Sequence, residues 1–124
     1  MSADNYSVKV LVFGASLRSN SLNDRLATLA ARSVEAHGAT VDRAFMSDFD
    51  CPSYDGDEES DGMPDGATQL KARLTGSDGF IIVSPEYNAS MPGVLKNVID
   101  WTSRFRPQPF TRRYGMLMSA SPSM

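Results

Sequence analysis

The chain has 124 residues and a mass of 13.5 kDa, the size of one ordinary domain, so a second independent core is not expected. With 41% hydrophobic and 22% charged residues, and no apolar run near the ~20 residues that span a bilayer, the composition excludes collagen, wholesale disorder and a membrane span. A net charge of −3 gives no overall electrostatic case for nucleic acid.

The N-terminal residues have neither the basic start nor the apolar core of a secretory signal, and the cytoplasm is therefore expected. Residues 8–13, Val-Lys-Val-Leu-Val-Phe, form a β-branched, mostly apolar run closed by Gly14, which predicts a strand buried on both faces. From Ser21 onward Leu22, Leu26, Leu29, Ala30 and Val34 recur at helical spacing. Asn20 or Ser21 can cap this helix, and Gly38 sits just past its end. Residues 39–45 read as a shorter strand.

Between residues 46 and 66 there are eight acids and no Lys or Arg, so a solvated acidic loop is expected within a net basic body. Asp57, Glu59, Asp61 and Gly62 imitate the start of a calcium loop. Its twelfth position would be Thr68 rather than Glu, which argues against a metal site. Cys51, the only cysteine, excludes an intrachain disulfide and a multi-cysteine centre, and neither it nor the lone His37 is assigned a role.

Residues 67–74 predict a short helix and 79–84, Gly-Phe-Ile-Ile-Val-Ser, a strongly buried strand. Pro92 is suited to the first position of the next helix, where Val94, Leu95, Val98, Ile99 and Trp101 supply the apolar stripe. Four arginines and no acid lie between residues 104 and 113, and Pro107 and Pro109 forbid a regular helix, which predicts a basic connecting loop. A last run, 114–119, reads as a fourth strand. Trp101, Met116 and Met118 are expected in the core.

The order βαβαβαβ, with crossovers long enough for parallel strands, predicts an open α/β sheet with helices on both faces. Ligands of such sheets bind at the carboxyl ends of the strands, which singles out residues 14–21, 84–92 and 119–124. The first of these places hydroxyls, an amide and Arg18 at a helix N-terminus, a setting that favours an anion such as phosphate. Gly14-Ala15-Ser16 carries neither the dinucleotide fingerprint nor a P-loop, and Ser16 lacks the second glycine of a nucleophile elbow. Gly14 and Ser84 also stand where a phosphorelay receiver needs acids.

Two segments together carry a resemblance. Residues 14–23, Gly-Ala-Ser-Leu-Arg-Ser-Asn-Ser-Leu-Asn, resemble a G-S-x-R-x-x-S-x-N phosphate loop, with Ala15 in place of the commoner serine. Residues 85–101, Pro-Glu-Tyr-Asn-Ala-Ser-Met-Pro-Gly-Val-Leu-Lys-Asn-Val-Ile-Asp-Trp, resemble the long signature P-E-Y-N-x-x-x-P-G-x-L-K-N-x-I-D-W. Both are similar to the NADPH-dependent FMN reductases, a flavodoxin-like group that includes bacterial quinone and chromate reductases. The resemblance implies a doubly wound parallel sheet of order 2-1-3-4-5 with FMN at the switch point between the first and third strands. It implies that Ser16, Arg18, Ser21 and Asn23 hold the FMN phosphate, that Pro85, Glu86, Tyr87 and Asn88 flank the ring system, and that Ser119 and Ser121 close the opposite rim.

The activity so implied is NAD(P)H-dependent flavin reduction. Hydride from NADPH or NADH reaches FMN, and electrons then pass in ping-pong order to quinones, flavins or similar small acceptors, with no catalytic side chain and no metal. The alternative on the same fold is a non-catalytic electron carrier or sensor. The resemblance further implies a homodimer or tetramer in which the helix after Pro92 contributes to the interface and Trp101 and Phe105 approach the partner's flavin. Against the family pattern, residues 1–124 are expected to be a single FMN-binding domain truncated at its C-terminus, without the fifth strand and last helices. The fourth strand is then a bare apolar edge, and a separate C-terminal fragment is one conceivable partner.

Overall fold

A computed structural model of the chain describes residues 7–18, 21–86 and 90–120. Strand β1 (Lys9–Gly14) leads to helix α1 (Leu22–Ala36) and strand β2 (Thr40–Arg43), followed by a 3-10 turn (Met46–Phe49) and the short helix α2 (Gly56–Ser60). Helix α3 (Asp65–Thr75), strand β3 (Gly79–Val83), helix α4 (Gly93–Thr102) and strand β4 (Tyr114–Met118) complete the described elements. All strand pairings are parallel, in the order β2-β1-β3-β4. The doubly wound flavodoxin-like class expected from the sequence is the one observed.

The inner strands are apolar on both faces because each face has its own cover. Leu11, Phe13 and Ile82 face α3, α4 and the 3-10 turn through Leu70, Leu74, Leu95, Val98, Met46 and Phe49. Val12, Ile81 and Val83 face α1 through Ala27, Ala30 and Ala31. The rings of Phe13 and Phe49 meet edge to face, with centroids 4.9 Å apart. That geometry contributes about 0.5–1.5 kcal/mol beyond area burial.

Several expectations change in detail. Helix α1 has the expected period and Ser21 cap, but its buried residues are the small ones, and Leu22 and Leu29 are exposed. Alanines let the helix lie close to the sheet, which turns the bulkier leucines sideways. The acidic stretch is not simply solvated: Met46 and Phe49 are fully buried within it, while most of its acids are exposed. Pro92 occupies the N-cap rather than the first helical position, with ψ 145° aiming its carbonyl at the amides of Leu95 and Lys96.

Of the residues expected in the core, Trp101 is completely buried and Met118 half-buried, whereas Met116 is exposed. Met116 lies on β4, which no described strand flanks on its outer side. Tyr114 and Leu117 of the same strand are also exposed, so the apolar edge is observed. The basic loop is largely spent internally. Arg113 donates to the carbonyls of Leu74, Thr75 and Ser77 at the end of α3 and to those of Pro109 and Thr111, and Arg104 pairs with Glu59 at 2.9 Å.

Gly66, in the first turn of α3, lies against the backbone that follows the 3-10 turn. A Cβ there would stand 2.1 Å from the Asp50 carbonyl oxygen and 2.5 Å from the Phe49 carbonyl carbon. Gly66→Ala is expected to cost about 1–3 kcal/mol, the range of overpacking a close contact. Gly56→Ala, whose Cβ meets nothing within 4 Å, serves as the control and should leave stability unchanged or raised. Urea unfolding midpoints of the two variants check the contrast.

Candidate functional site at the carboxyl ends of the strands

Strand register assembles the site. Gly14 is opposite Val83 and Val83 opposite Met118, so β1, β3 and β4 end level with one another. Each ladder extends one step further, from the Ala15 amide to the Val83 carbonyl and from the Ser84 amide to the Met118 carbonyl, both at 2.8 Å. The segments beginning at Ala15, Ser84 and Ser119 therefore leave the sheet side by side, about 4.8 Å apart. Gly14 lets β1 finish under α1, since a Cβ there would meet the Asp24 Cα at 3.3 Å.

Four of the residues expected at a phosphate lie at this rim. The Ser21 hydroxyl oxygen caps α1 by accepting from the Asp24 amide at 3.0 Å, which leaves its own proton free to be donated. The Ser16 hydroxyl oxygen accepts from the Arg18 amide at 3.2 Å. Arg18 is exposed, and its guanidinium has no ion pair or hydrogen bond among the described residues. Asn23 differs from the other three. Its buried carboxamide donates to the Ala120 carbonyl at 3.2 Å and accepts from the Ala120 amide at 2.9 Å, tying the segment after β4 to the first turn of α1.

Asp24 is the one acid in that first turn, and it is neutralised. Arg43, at the end of β2, holds its carboxylate at 2.8 Å and also donates to the Asp24 carbonyl and the Thr28 hydroxyl. What remains at the mouth is a set of donors: hydroxyls, the helix-end amides of Leu22 and Asn23, which have no partner among the described residues, and one guanidinium. That set fits a phosphate monoester, the acidic end of an FMN molecule.

Pro85 is half-buried and Glu86 exposed at the end of β3, and Ser119 is exposed after β4. The Ser84 hydroxyl donates to the Pro85 carbonyl at 3.0 Å, which stiffens the start of this segment. Tyr87, Asn88 and Ser121, expected around a ring system, lie outside the described residues. The exposed side chains of Leu17, Met91 and Val94 give the same end of the sheet an apolar character.

Trp101 stands in the core, as its apolar spacing predicts. It is fully buried, donates from Nε1 to the Pro52 carbonyl at 2.7 Å and meets the edge of Tyr54, so its ring belongs to this chain's own core. Phe105 is half-buried with the Lys71 ammonium over its ring. His37 is an exposed cap residue at the end of α1, its Nδ1 2.8 Å from the Ser33 carbonyl. Among the described residues, no group of three or more His, Cys, Asp or Glu is placed to hold a metal, and no helix is long and apolar enough to cross a membrane. A concavity of about 1290 Å³ lies away from this rim, along the outer edge of β4 and the amino ends of the strands.

A doubly wound parallel sheet whose strands β1, β3 and β4 end on one rim of hydrogen-bond donors defines the class, and comparison with known proteins gives the family. Residues 8–124 match the model of the NADPH-dependent FMN reductases, and the chain belongs to that family. It is 36% identical over 114 residues to an NAD(P)H-dependent FMN reductase of Pseudomonas aeruginosa, a match covering 92% of this chain and 60% of the relative. It is 35% identical over 119 residues to the quinone reductase of Escherichia coli, with the same coverages of 92% and 60%. Among solved structures it is similar to the flavoenzyme NAD(P)H:(acceptor) oxidoreductase FerB from Paracoccus denitrificans. That match has a TM-score of 0.79 and 31% identity and covers 94% of this chain and 63% of that one. The chain spans about three fifths of the length of these relatives.

Two expectations follow from the site. Asn23→Ala leaves the part-buried Ala120 amide and carbonyl without their partner, at a cost of about 1 kcal/mol; urea unfolding, with hydrogen exchange at the Ala120 amide, measures both the cost and its location. Burial pushes the Cys51 thiol above the ordinary thiol range, with Asp50 adding to the effect and an Ala67 backbone hydrogen bond opposing it. The folded chain thus favours the protonated thiol, and this contribution to stability is lost as pH rises above the ordinary thiol value. At pH ~8, reaction of folded Cys51 with a disulfide reagent should be slower than that of a free cysteine, the gap closing at more alkaline pH.

Proposed function

We propose that this chain forms the FMN-binding part of an NAD(P)H-dependent reductase that passes electrons to quinones or similar small acceptors. The observation that carries the reading is the donor set where β1 meets α1, level with the ends of β3 and β4. It is supported by membership of the NADPH-dependent FMN reductase family and by the quinone reductase of Escherichia coli among the relatives. Bound there, FMN would supply two-electron redox chemistry between a reduced nicotinamide and an acceptor, in a ping-pong order.

The protein binds and orients. Arg18 supplies a charge-assisted contact to the phosphate, Ser16 and Ser21 donate hydroxyl protons, and the first amides of α1 face the same anion. Asn23 acts at one remove by holding the Ala120 segment at the rim. Pro85, Glu86, Tyr87 and Asn88 border the ring system, and Ser119 and Ser121 close the far side. The apolar side chains of Leu17, Met91 and Val94 suit an aromatic or quinonoid acceptor rather than a sugar or a peptide.

The test is a visible spectrum of the protein after addition of FMN and desalting, followed by anaerobic NADPH. Retained flavin bands that bleach with NADPH are expected, and desalted protein without flavin bands would contradict the reading. Arg18→Ala is expected to weaken FMN binding about tenfold to a hundredfold, the effect of one hydrogen bond to a charged group, as measured by quenching of flavin fluorescence.

A further inference from the structure

Residues 50–55 form no helix or strand, and side chains of α4 hydrogen-bond to the backbone of Cys51, Pro52 and Tyr54. Asn97 donates from Nδ2 to the Cys51 carbonyl at 3.3 Å and the Pro52 carbonyl at 3.0 Å, and its Oδ1 accepts from the Tyr54 amide at 2.9 Å. Trp101, one turn further along α4, donates to the same Pro52 carbonyl at 2.7 Å. Residues four apart share a helix face, so the two side chains act on one stretch of backbone. A carboxamide is the group suited to the task, because it donates twice and accepts once within one plane. Aspartate could accept from Tyr54 but not donate to the carbonyls, and leucine could do neither.

The clamped stretch reaches the candidate site. A gap of about 20 Å³, room for a single water, is bounded by Leu17 together with Asp50, Cys51, Val94 and Asn97. Leu17 lies between Ser16 and Arg18, the first two side chains at the mouth. Leu17 and Cys51 are thus walls of one small gap that Asn97 also borders.

We propose that Asn97 is a positioning residue: by holding residues 51–54 against α4 it sets the position of Leu17 and, through it, of Ser16 and Arg18. The role in ligand binding rests on reading that segment as the phosphate cradle. The role in position does not.

The test compares Asn97→Leu, close in volume but unable to form any of the three bonds, with Asn97→Asp, which keeps the acceptor for Tyr54. In Asn97→Leu, exchange of the Tyr54 amide is expected to accelerate at least tenfold and the Leu17 amide resonance to shift, while β1 and β3 amides keep their protection. In Asn97→Asp the Tyr54 amide is expected to stay protected. FMN affinity should fall about tenfold in Asn97→Leu, measured by flavin fluorescence.

Unchanged Leu17 resonances in Asn97→Leu would overturn the proposal, as would an equal loss of protection across the whole sheet in both variants, which marks mere destabilisation. Should Asn97→Leu not fold, Trp101→Phe removes the second donor to Pro52 while keeping a ring in the core, and the same Leu17 shift is read there. Wild-type protein that bound no FMN would contradict the proposed function, and the Tyr54 and Leu17 measurements would still decide the role of Asn97.

Discussion

The arrangement depends on the register between β1 and β3. With Gly14 opposite Val83, and Met118 level with both, three chain segments leave the sheet at one height and on one rim. A shift of one residue would reverse the facing of Leu11, Phe13 and Ile82 against Val12, Ile81 and Val83, and both cores would be lost together. The hydrophobic packing of the two faces thus also holds polar atoms in place at the strand ends. Gly14 belongs to the same constraint, because a Cβ there would meet the Asp24 Cα at 3.3 Å and push α1 away from the end of β1 by a few tenths of an ångström.

Several polar contacts then convert a sheet edge into a shaped rim. Asn23 joins the start of α1 to the segment after β4, and Arg43 joins it to the end of β2 while neutralising Asp24. On the other face, α4 holds the stretch after the 3-10 turn through Asn97 and Trp101. Beyond that stretch Glu59 accepts from both Arg104 and Tyr54. The Arg104 guanidinium, followed by the Tyr54 hydroxyl, holds the Glu59 carboxyl below its ordinary range, and the hydrogen bond to Glu59 raises the Tyr54 phenol. Tyr54 and Arg104 are exposed and Glu59 half-buried, so these surface contacts order the acidic segment without adding much to stability.

Much of this was legible in the sequence. Strands buried on both faces announce themselves as continuous β-branched runs, and Ser21 marked the start of α1 because a hydroxyl satisfies a helix-end amide. Less legible was the phase of α1: Ala27, Ala30 and Ala31 carry little hydrophobic signal, yet they make the close contact, while Leu22 and Leu29 turn outward. Met46 and Phe49 were masked by the acids around them. The partners of Asn23 and Asn97 lie 97 and about 45 residues away in the chain, and no local pattern pairs a carboxamide with a distant backbone. The motif residue Trp101 was read correctly as core.

The central claim is that the mouth between β1 and α1 recognises a phosphate and that this contact anchors the flavin. The most direct measurement compares FMN with riboflavin, which has the same ring system and lacks the phosphate, by fluorescence titration at fixed ionic strength. Binding of FMN at least a hundredfold tighter than riboflavin, with the difference shrinking as salt is raised, is the result predicted. Equal affinities for the two flavins would contradict it.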